Sequence, residues 1–448
     1  MLLRNKGWLT VLSLLSISSI IFIFHLFSLT GRPSTEWTTY LHSSPVDNCH
    51  GKLDRLADLA ITYPLHYARR DIIVNPTPGI KRTSITTLHE KLFPQLQTID
   101  MTEDLDVRLQ HCKEPFILNV PLFDEHANHA SHLMIGISTT LDRLDSSIMQ
   151  LARWVPNTGV RLFAIIIESE QHDEIQAVAA DPTKKAELQS RMRAMGMDVT
   201  LVDPLSLKDS FSQKYFSLIK IMFDHRDGNT QWIGTIDDDT FFPSIPALVS
   251  MLSKYDPQEN LYIGGISEEW WSVAHYGLMG FGGAGIFLSL ALAEVINENY
   301  KYCQESSRSS AGDVRIRECI FELTETKLTN ERDLHQIDIH GDLSGLFESG
   351  RIPLSLHHWK PGAATTEGYD LPTMHLVWDI CHDCFLQRWS FDDDLILSNG
   401  FSISQYPKQS RKGANMERME QTWAEVASVE GSNNRGVEHS FGRTRPKS

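Results

Sequence analysis

The sequence predicts an α/β fold in which a mixed, mostly parallel sheet is flanked by helices. From Leu133 onward, apolar runs of strand length alternate with segments of helical spacing, a pattern typical of such sheets. An acidic triplet, residues 237–239, directly follows one of the apolar runs. The 448 residues carry a formal charge of -16, which argues against a nucleic-acid partner because such partners favour a basic surface.

The individual elements are predicted from the spacing of apolar residues. In order they are a strand at 133–137, a helix at 142–154, a strand at 160–167, a helix at 213–223, a strand ending at Asp237 and a helix at 286–296. No internal repeat interrupts this series.

Residues 8–29 form a stretch without formal charge, preceded by Arg4 and Lys6. Its length fits a transmembrane helix, and the absence of a small-residue cleavage site favours a retained anchor over a cleaved signal peptide. Basic residues on the short amino-terminal side favour a cytosolic location for that side. We therefore expect a single-pass, type II membrane protein whose remaining chain faces the secretory lumen.

Six cysteines, an even number, suit disulfide bonds in an oxidising compartment. We predict a pair between Cys303 and Cys319, because each flanks the same polar loop. Cys381 and Cys384 either close a local turn or contribute to a zinc site. Zinc needs four ligands, and the sequence has no second Cys-x-x-Cys to supply them.

The acidic triplet is the candidate metal site. Carboxylates at the end of a central strand lie where open α/β sheets bind their ligands. Two of them can reach a hard divalent cation and leave positions for diphosphate oxygens. The alternative is a solvated acidic turn. Trp232 before the triplet and Phe242 after it favour the edge of a core over a loop tip.

Residues 280–285 are rich in glycine and formally fit Gly-x-Gly-x-x-Gly. They lack the buried strand that a dinucleotide-binding fingerprint needs immediately before it. Glycine allows the backbone to approach a ligand closely. We expect Gly282, Gly283 and Gly285 to line a sugar or diphosphate pocket, the alternative being a tight turn that packs a helix on the sheet.

Three motifs in this order, at 232–242, 282–285 and 312–319, resemble those of the Fringe-like glycosyltransferases, the β1,3-transferases of family 31. Residues 354–359 are similar to the fungal and plant branch of that family. The resemblance spans residues 133–360, about half the chain. It implies a Golgi type II membrane protein with a GT-A fold that uses Mn²⁺ to transfer a sugar, with inversion, from a UDP-sugar donor to a glycan or glycoconjugate acceptor hydroxyl in a β1,3 linkage.

The resemblance also implies roles for the acidic triplet and for a histidine pair. Asp239 is expected to contact the metal. Asp237 or Asp238 is expected to reach the donor ribose or the metal and its waters. His357 or His358 is expected to complete the metal shell. The alternative for the histidines is ordinary packing, because imidazole binds metal only where other ligands converge.

Asp313 matches the family's catalytic carboxylate, the base that takes the proton of the acceptor hydroxyl. Fringe has paired aspartates at this place, whereas this chain has Gly312 and Asp313. A helix N-cap is the alternative role for Asp313. Lys214 and Arg143 are candidates for contacts with donor phosphate, against the alternative of solvated surface.

Aromatic residues precede the glycine-rich segment and are expected either to stack on an acceptor sugar or to pack in the core. They are Trp270, Trp271, His275 and Tyr276. An alternative function is a membrane-tethered carbohydrate-binding protein with an inactive glycosyltransferase fold. The joint presence of the triplet, Asp313 and the histidine pair argues against it, because binding needs no base. A phosphatase of the haloacid-dehalogenase type fails because Phe241 replaces the Thr or Val of that motif.

The expected organisation therefore has six parts. They are a cytosolic tail at 1–7, a signal-anchor at 8–29, a stem and lead-in region at 30–125, a GT-A catalytic domain at 126–365, an accessory region at 366–425 and a disordered tail at 426–448.

Overall fold

The computed structural model describes residues 65–68, 70–94, 96–99, 114–122, 129–169, 177–338, 343–359 and 371–405, with two short strands at 424–425 and 437–438. The predicted cytosolic tail and anchor lie outside these residues, as does most of the predicted tail at 426–448. Within the described ranges, no helix has the length and apolar character needed to cross a membrane. The chain divides into two compact units, and the larger comprises residues 74–92 and 117–448.

Short strands precede the main sheet. They are β1 (Leu65–Tyr67), β2 (Ile72–Thr77), β3 (Ile85–Thr87), β4 (Gln97–Ile99) and β5 (Phe116–Pro121). Strands β1 and β4 pair in antiparallel orientation within the smaller unit.

A seven-stranded sheet forms the centre of the larger unit. The strands from this point to the end of that sheet are β6 (Leu133–Thr139), β7 (Arg161–Ile166), β8 (Glu168–Ser169), β9 (Ala177–Val178), β10 (Asp198–Val202), β11 (Trp232–Thr235), β12 (Tyr262–Gly264), β13 (Ile286–Ser289) and β14 (Leu328–Asn330). The order across the sheet is β10-β7-β6-β11-β13-β12-β14, and β8 pairs with β9 outside it. Only β13 runs antiparallel to its neighbours. The predicted α/β fold with a mostly parallel sheet is confirmed.

Helices cover both faces of this sheet. The helices of the described residues are α1 (Leu141–Trp154), α2 (Pro182–Ala194), α3 (Phe211–Asp224), α4 (Ile245–Leu252), α5 (Trp270–Tyr276), α6 (Leu290–Glu298), α7 (Tyr300–Ser306), α8 (Gly312–Leu323), α9 (Ser344–Phe347) and α10 (Leu371–Cys381). Because successive strand residues point to opposite faces, Ile135 of β6 packs in one cluster with Leu144 of α1. Met134 packs in a second cluster with Leu218 of α3. Full burial of each such side chain contributes about 1.5–3 kcal/mol.

The chain order within the sheet reverses between β6 and β11. The chain passes from β6 outward through β7 to β10, then returns to the other side of β6 as β11. Ligands of open α/β sheets bind at such a reversal, beyond the carboxyl ends of the strands. The acidic triplet follows β11, and the start of α1 follows β6, so both lie at this position.

The helix predicted at 286–296 is wrong over its first four residues, which form strand β13 before helix α6 begins at Leu290. A short, buried apolar run fits a strand as well as a helix. The side chain of Ser289 accepts a hydrogen bond from the Leu292 amide and caps α6. Because β13 is antiparallel, its first residue lies at the same edge as the last residues of the parallel strands. This orientation brings the glycine-rich segment to the ligand edge.

The remaining strands lie beyond the main sheet. They are β15 (Leu334–His335), β16 (Ser355–Leu356), β17 (Arg388–Ser390), β18 (Leu395–Ser398), β19 (Ser402–Gln405), β20 (Ala424–Glu425) and β21 (Val437–Glu438). Strand β15 pairs with β16, and β3 joins β17, β18 and β19 in a four-stranded sheet.

Two disulfides lie among the described residues. The predicted bond between Cys303 and Cys319 is present and joins α7 to α8. Cys381 and Cys384 bond to each other, so the Cys-x-x-Cys turn closes locally and the zinc alternative is wrong.

Candidate functional site

Asp238 follows β11 and is hydrogen-bonded to the end of β6 and to the start of α1, which meet at the reversal point. Its carboxylate accepts hydrogen bonds from Arg143 Nε at 2.7 Å and from Arg143 Nη2 at 2.5 Å. The hydroxyl of Thr139, the last residue of β6, also donates to it. Only 3% of the Asp238 side chain is exposed. Both carboxylate oxygens are therefore engaged by donors of this chain, and Asp238 holds the triplet against the start of α1.

Asp237 and Asp239 face a common partner. The Nε2 atom of His357 lies 3.2 Å from Asp237 Oδ2 and 3.2 Å from Asp239 Oδ1. His357 reaches this position because the backbone around it pairs with the triplet: the Phe241 amide donates to the Leu356 carbonyl at 2.8 Å. The structure thus brings together two of the predicted triplet residues and one predicted histidine.

The other ring nitrogen fixes the orientation of His357. Nδ1 lies 3.0 Å from the carbonyl oxygen of Gln336, so we assign it the hydrogen, and Nε2 points its lone pair or second proton at the carboxylates. Burial lowers the pKa of His357, but hydrogen bonds and charge attraction from Asp237 and Asp239 outweigh it and raise the pKa to about 10. A cation bound here would take the place of the Nε2 proton, because histidine binds metal through a neutral imidazole nitrogen.

His358 completes the cluster. Its ring centroid lies 3.9 Å from that of His357, and its Nε2 lies 3.5 Å from Asp338 Oδ1. Burial raises the pKa of Asp338, but hydrogen bonds with His358 and Ser267 outweigh it and the pKa is lowered. The backbone of His358 has φ of 53°, in the left-handed region that few residues other than glycine adopt.

The ligand atoms of Asp239, His357 and His358 lie within 4.8 Å of one another. This set offers one carboxylate oxygen and two imidazole nitrogens, and Asp237 lies beside it. Carboxylate oxygens suit Mn²⁺ and Mg²⁺, whereas imidazole nitrogens favour transition metals. A mixed set of this kind fits a divalent first-row transition metal, and either histidine can contribute.

The glycine-rich segment packs directly on this cluster. A β-carbon at Gly283 would lie 2.2 Å from His357 Nδ1, so only glycine leaves room for the imidazole. The Thr240 hydroxyl donates to the Gly283 carbonyl at 2.9 Å, and the Ala284 amide donates to Gln336 Oε1 at 2.8 Å. Gln336 therefore contacts both the glycine segment and His357.

Gly282 connects the triplet to Asp313. Its amide donates to Asp313 Oδ2 at 3.2 Å, and a β-carbon at this position would lie 3.2 Å from Asp237 Oδ1. Burial of Asp313, with the nearby charge of Asp237, raises its pKa from 3.8 to about 6. The capping alternative is wrong, because Ala311 is the N-cap of α8 and Asp313 lies in the first turn.

Gly312 accommodates the ring of Tyr215 from α3. A β-carbon at residue 312 would lie 2.4 Å from Tyr215 Cδ1. The ring therefore occupies the space where a second carboxylate would begin, and Asp313 stands alone at this point in the chain.

The other predicted contacts are placed as follows. Lys214 lies in α3 with 2% exposure, and the solvated-surface alternative for it is wrong. Gly285 has φ of 96° and ends the glycine segment. Sequence reasoning did not single out Thr139, Gln336 or Asp338, because each acts through a partner at least 20 residues away.

One family model, described as a protein of unknown function, DUF604, matches residues 272–365. That stretch contains Asp313 and both histidines. No curated protein matches the chain. The Fringe-like assignment itself stays a prediction.

Among solved structures, the mannosyltransferase PcManGT of Pyrobaculum calidifontis, in complex with GDP-Man and Mn²⁺, is similar over 47% of this chain and 57% of its own, at 11% identity and a TM-score of 0.31. The glycosyltransferase GlyE of Streptococcus pneumoniae is similar over 52% and 56%, at 13% identity and a TM-score of 0.32. Mouse xyloside xylosyltransferase 1 is similar over 45% and 84%, at 12% identity and a TM-score of 0.29. The chain thus spans little more than half the length of the first two. Similarity at these TM-scores does not assign a function to the chain.

Proposed function

We propose that this protein is a metal-dependent glycosyltransferase that moves a sugar from a nucleotide-diphosphate donor to a glycan hydroxyl. The observation that carries the proposal is the cluster of Asp239, His357 and His358, whose ligand atoms lie within 4.8 Å of one another. The cluster lies at the strand-order reversal, where α/β sheets bind ligands. Asp313 accepts a hydrogen bond from the Gly282 amide and supplies a base next to the cluster.

Asp313 has the environment of a general base. In an inverting transfer the acceptor oxygen forms a bond to the anomeric carbon, the bond from that carbon to the diphosphate breaks, and the acceptor proton goes to the base. With a pKa of about 6, the Asp313 carboxylate is ionised at neutral pH and is a stronger base than an ordinary aspartate. The amides of Gly282 and Val314 each donate to one of its oxygens and fix the orientation of the carboxylate.

Asp239, His357 and His358, with Asp237 beside them, would hold the cation. When bound, a divalent cation stabilises the negative charge that develops on a diphosphate leaving group. Mn²⁺ fits the mixed ligand set. Three further parts of the proposal rest on the family resemblance. They are UDP as the donor nucleotide, the β1,3 linkage and the Golgi location.

The test measures UDP binding to the purified full-length chain by calorimetry, with Mn²⁺ and with EDTA. In parallel, UDP release is followed over a panel of UDP-sugars with simple glycoside acceptors. We expect UDP to bind only with Mn²⁺, and one UDP-sugar to be turned over. The variant Asp239→Ala should lose both properties.

Two outcomes would redirect the assignment. UDP binding that requires Mn²⁺, without turnover of any donor and acceptor pair, would favour the membrane-tethered carbohydrate-binding protein with an inactive fold. Absence of metal-dependent UDP binding would refute the glycosyltransferase proposal.

A further inference from the structure

An aromatic cluster lies on the solvent side of helix α5. Trp271 is 54% exposed and stacks on His275, with ring centroids 4.7 Å apart and an interplanar angle of 7°. The ring of Tyr276 stands perpendicular to both, 6.1 Å from Trp271 and 4.6 Å from His275. We call these three residues the aromatic platform. The exposed fraction of Trp271 excludes the core-packing alternative for this residue.

The aromatic platform is joined to the candidate base. Tyr276 contacts the ring of Phe281 edge to face at 6.2 Å. Phe281 packs with Val314, and the residues beside this pair, Gly282 and Asp313, share a hydrogen bond. Contacts between neighbouring side chains therefore run from Tyr276 of the platform through Phe281 and Val314 to the helix turn that carries Asp313.

Helix α5 is also fixed to helix α8. The guanidinium of Arg317 donates to the Tyr276 carbonyl, and Gly277, with φ of 83°, ends the helix. The platform is thus a preformed surface on a short, anchored helix, and its three rings are contiguous, which distinguishes it from a single exposed apolar side chain.

The size of the platform indicates a small ligand. Each aromatic side chain can bury about 150–250 Å², so three partly exposed rings offer far less than the roughly 800 Å² per partner of a stable protein interface. One or two sugar rings match this area. The flat, apolar face of a pyranose ring also suits stacking on an indole.

The surrounding charge indicates a neutral ligand. Glu269 is the N-cap residue of α5, and Glu318 and Asp313 lie on the adjacent helix α8. The cation on that helix nearest the platform, Arg317, is engaged by Tyr276 and by Glu318. A sulfated or uronic-acid ligand would meet these carboxylates without a dedicated basic partner.

We propose that the aromatic platform binds a neutral sugar ring of the acceptor glycan and presents its hydroxyl to Asp313. The role as an acceptor site rests on the proposed function, whereas sugar binding itself does not. Trp271 provides the stacking surface, and the connection through Phe281 sets the position of the ring relative to the base.

The experiment begins with the full-length chain on an array of neutral and acidic glycans. The strongest ligand is then titrated against the wild type, Trp271→Ala and Tyr302→Ala. Tyr302 is the matched control, because it is a 56% exposed aromatic residue on the separate helix α7. We expect binding to neutral glycans and an increase of about tenfold in the half-saturating concentration for Trp271→Ala, equivalent to about 1.4 kcal/mol. Tyr302→Ala should bind like the wild type.

A second readout separates this proposal from the proposed function. Metal-dependent UDP affinity should be the same in Trp271→Ala and the wild type. Glycan binding by a chain that does not bind UDP would leave the platform supported and the glycosyltransferase proposal refuted. The platform proposal is overturned if the wild type binds no neutral glycan, if Trp271→Ala keeps wild-type glycan affinity, or if UDP affinity falls together with glycan affinity.

Discussion

The imidazole of His357 occupies the space that a side chain at residue 283 would need. Nδ1, Cγ and Cε1 of the ring would lie 2.2, 2.3 and 2.4 Å from a β-carbon on Gly283. Any larger residue must therefore displace the ring or the glycine segment. The position of Nε2 between Asp237 and Asp239 depends on this contact.

Gly283→Ala should consequently impair metal binding without replacing any metal ligand. We expect at least a tenfold rise in the Mn²⁺ concentration that supports half-maximal UDP binding, because His357 shifts away from the two carboxylates. Gly228→Ala is the control, since a β-carbon there meets nothing within 4 Å. Unchanged Mn²⁺ dependence in Gly283→Ala would contradict the assignment of His357 as a ligand.

Asp239→Ala should abolish Mn²⁺-dependent UDP binding, since it removes the carboxylate of the cluster. The matched control is Asp203→Ala. Asp203 also follows a parallel strand, β10, but that strand is at the edge of the sheet and away from the reversal point. Calorimetry with both variants should show loss of binding only in the first. Equal losses would indicate a general effect of negative charge at this edge.

Asp238→Asn should lower stability more than it lowers metal binding. Loss of the charged hydrogen bonds to Arg143 and Thr139 should cost about 1.5–3 kcal/mol in the free energy of unfolding, measured with urea. Asp379→Asn is the control, because Asp379 makes the same two-pronged contact with Arg153 but on the exposed surface. It should change stability by about 1 kcal/mol at most. A fully stable Asp238→Asn variant that does not bind UDP would instead show that Asp238 takes part in binding the metal or the nucleotide.

Asp313→Asn should bind UDP with Mn²⁺ but not transfer sugar, because only the proton acceptor is lost. In the wild type, kcat/KM should fall about tenfold per pH unit below about 6, as the carboxylate with its raised pKa becomes protonated. The group contributes to stability with the opposite trend. Its folded pKa exceeds the unfolded value, so its contribution is fully present below pH 3.8 and is lost as pH rises toward 6.

These two pH dependences are measured by initial rates and by unfolding in urea between pH 4 and 7. Asp313→Asn should remove the fall in stability over this range. A variant that retains wild-type transfer, or a wild-type rate that is flat down to pH 5, would exclude Asp313 as the base.

Much of the sheet could be predicted from the sequence. The helix ending at Trp154 lies where its apolar spacing predicts it, because burial on one face imposes a period, and the strand beginning at Leu133 lies where a short apolar run predicts it. The four residues at 286–289 are all buried, and a buried run this short fits a strand or a helix equally well.

The candidate site could be predicted from the sequence only in part. The triplet, the histidine pair and Asp313 were found through motifs. The engagement of Asp238 by Arg143, and the two contacts of Gln336, depend on tertiary structure, because these partners lie 95 and at least 21 residues apart along the chain. A single sequence carries no local signal for such pairs.

The disulfide between Cys303 and Cys319 encloses Asp313. The bridge spans 16 residues, and closing a loop of that length stabilises the folded state by about 3 kcal/mol in the chain-entropy account. Asp239, His357 and His358 lie outside the enclosed segment. Reduction of this bond would remove the restraint on the candidate base and leave the candidate cation ligands in place. Under the proposed function, nucleotide binding and sugar transfer are expected to respond separately to the redox state of the compartment in which the protein folds.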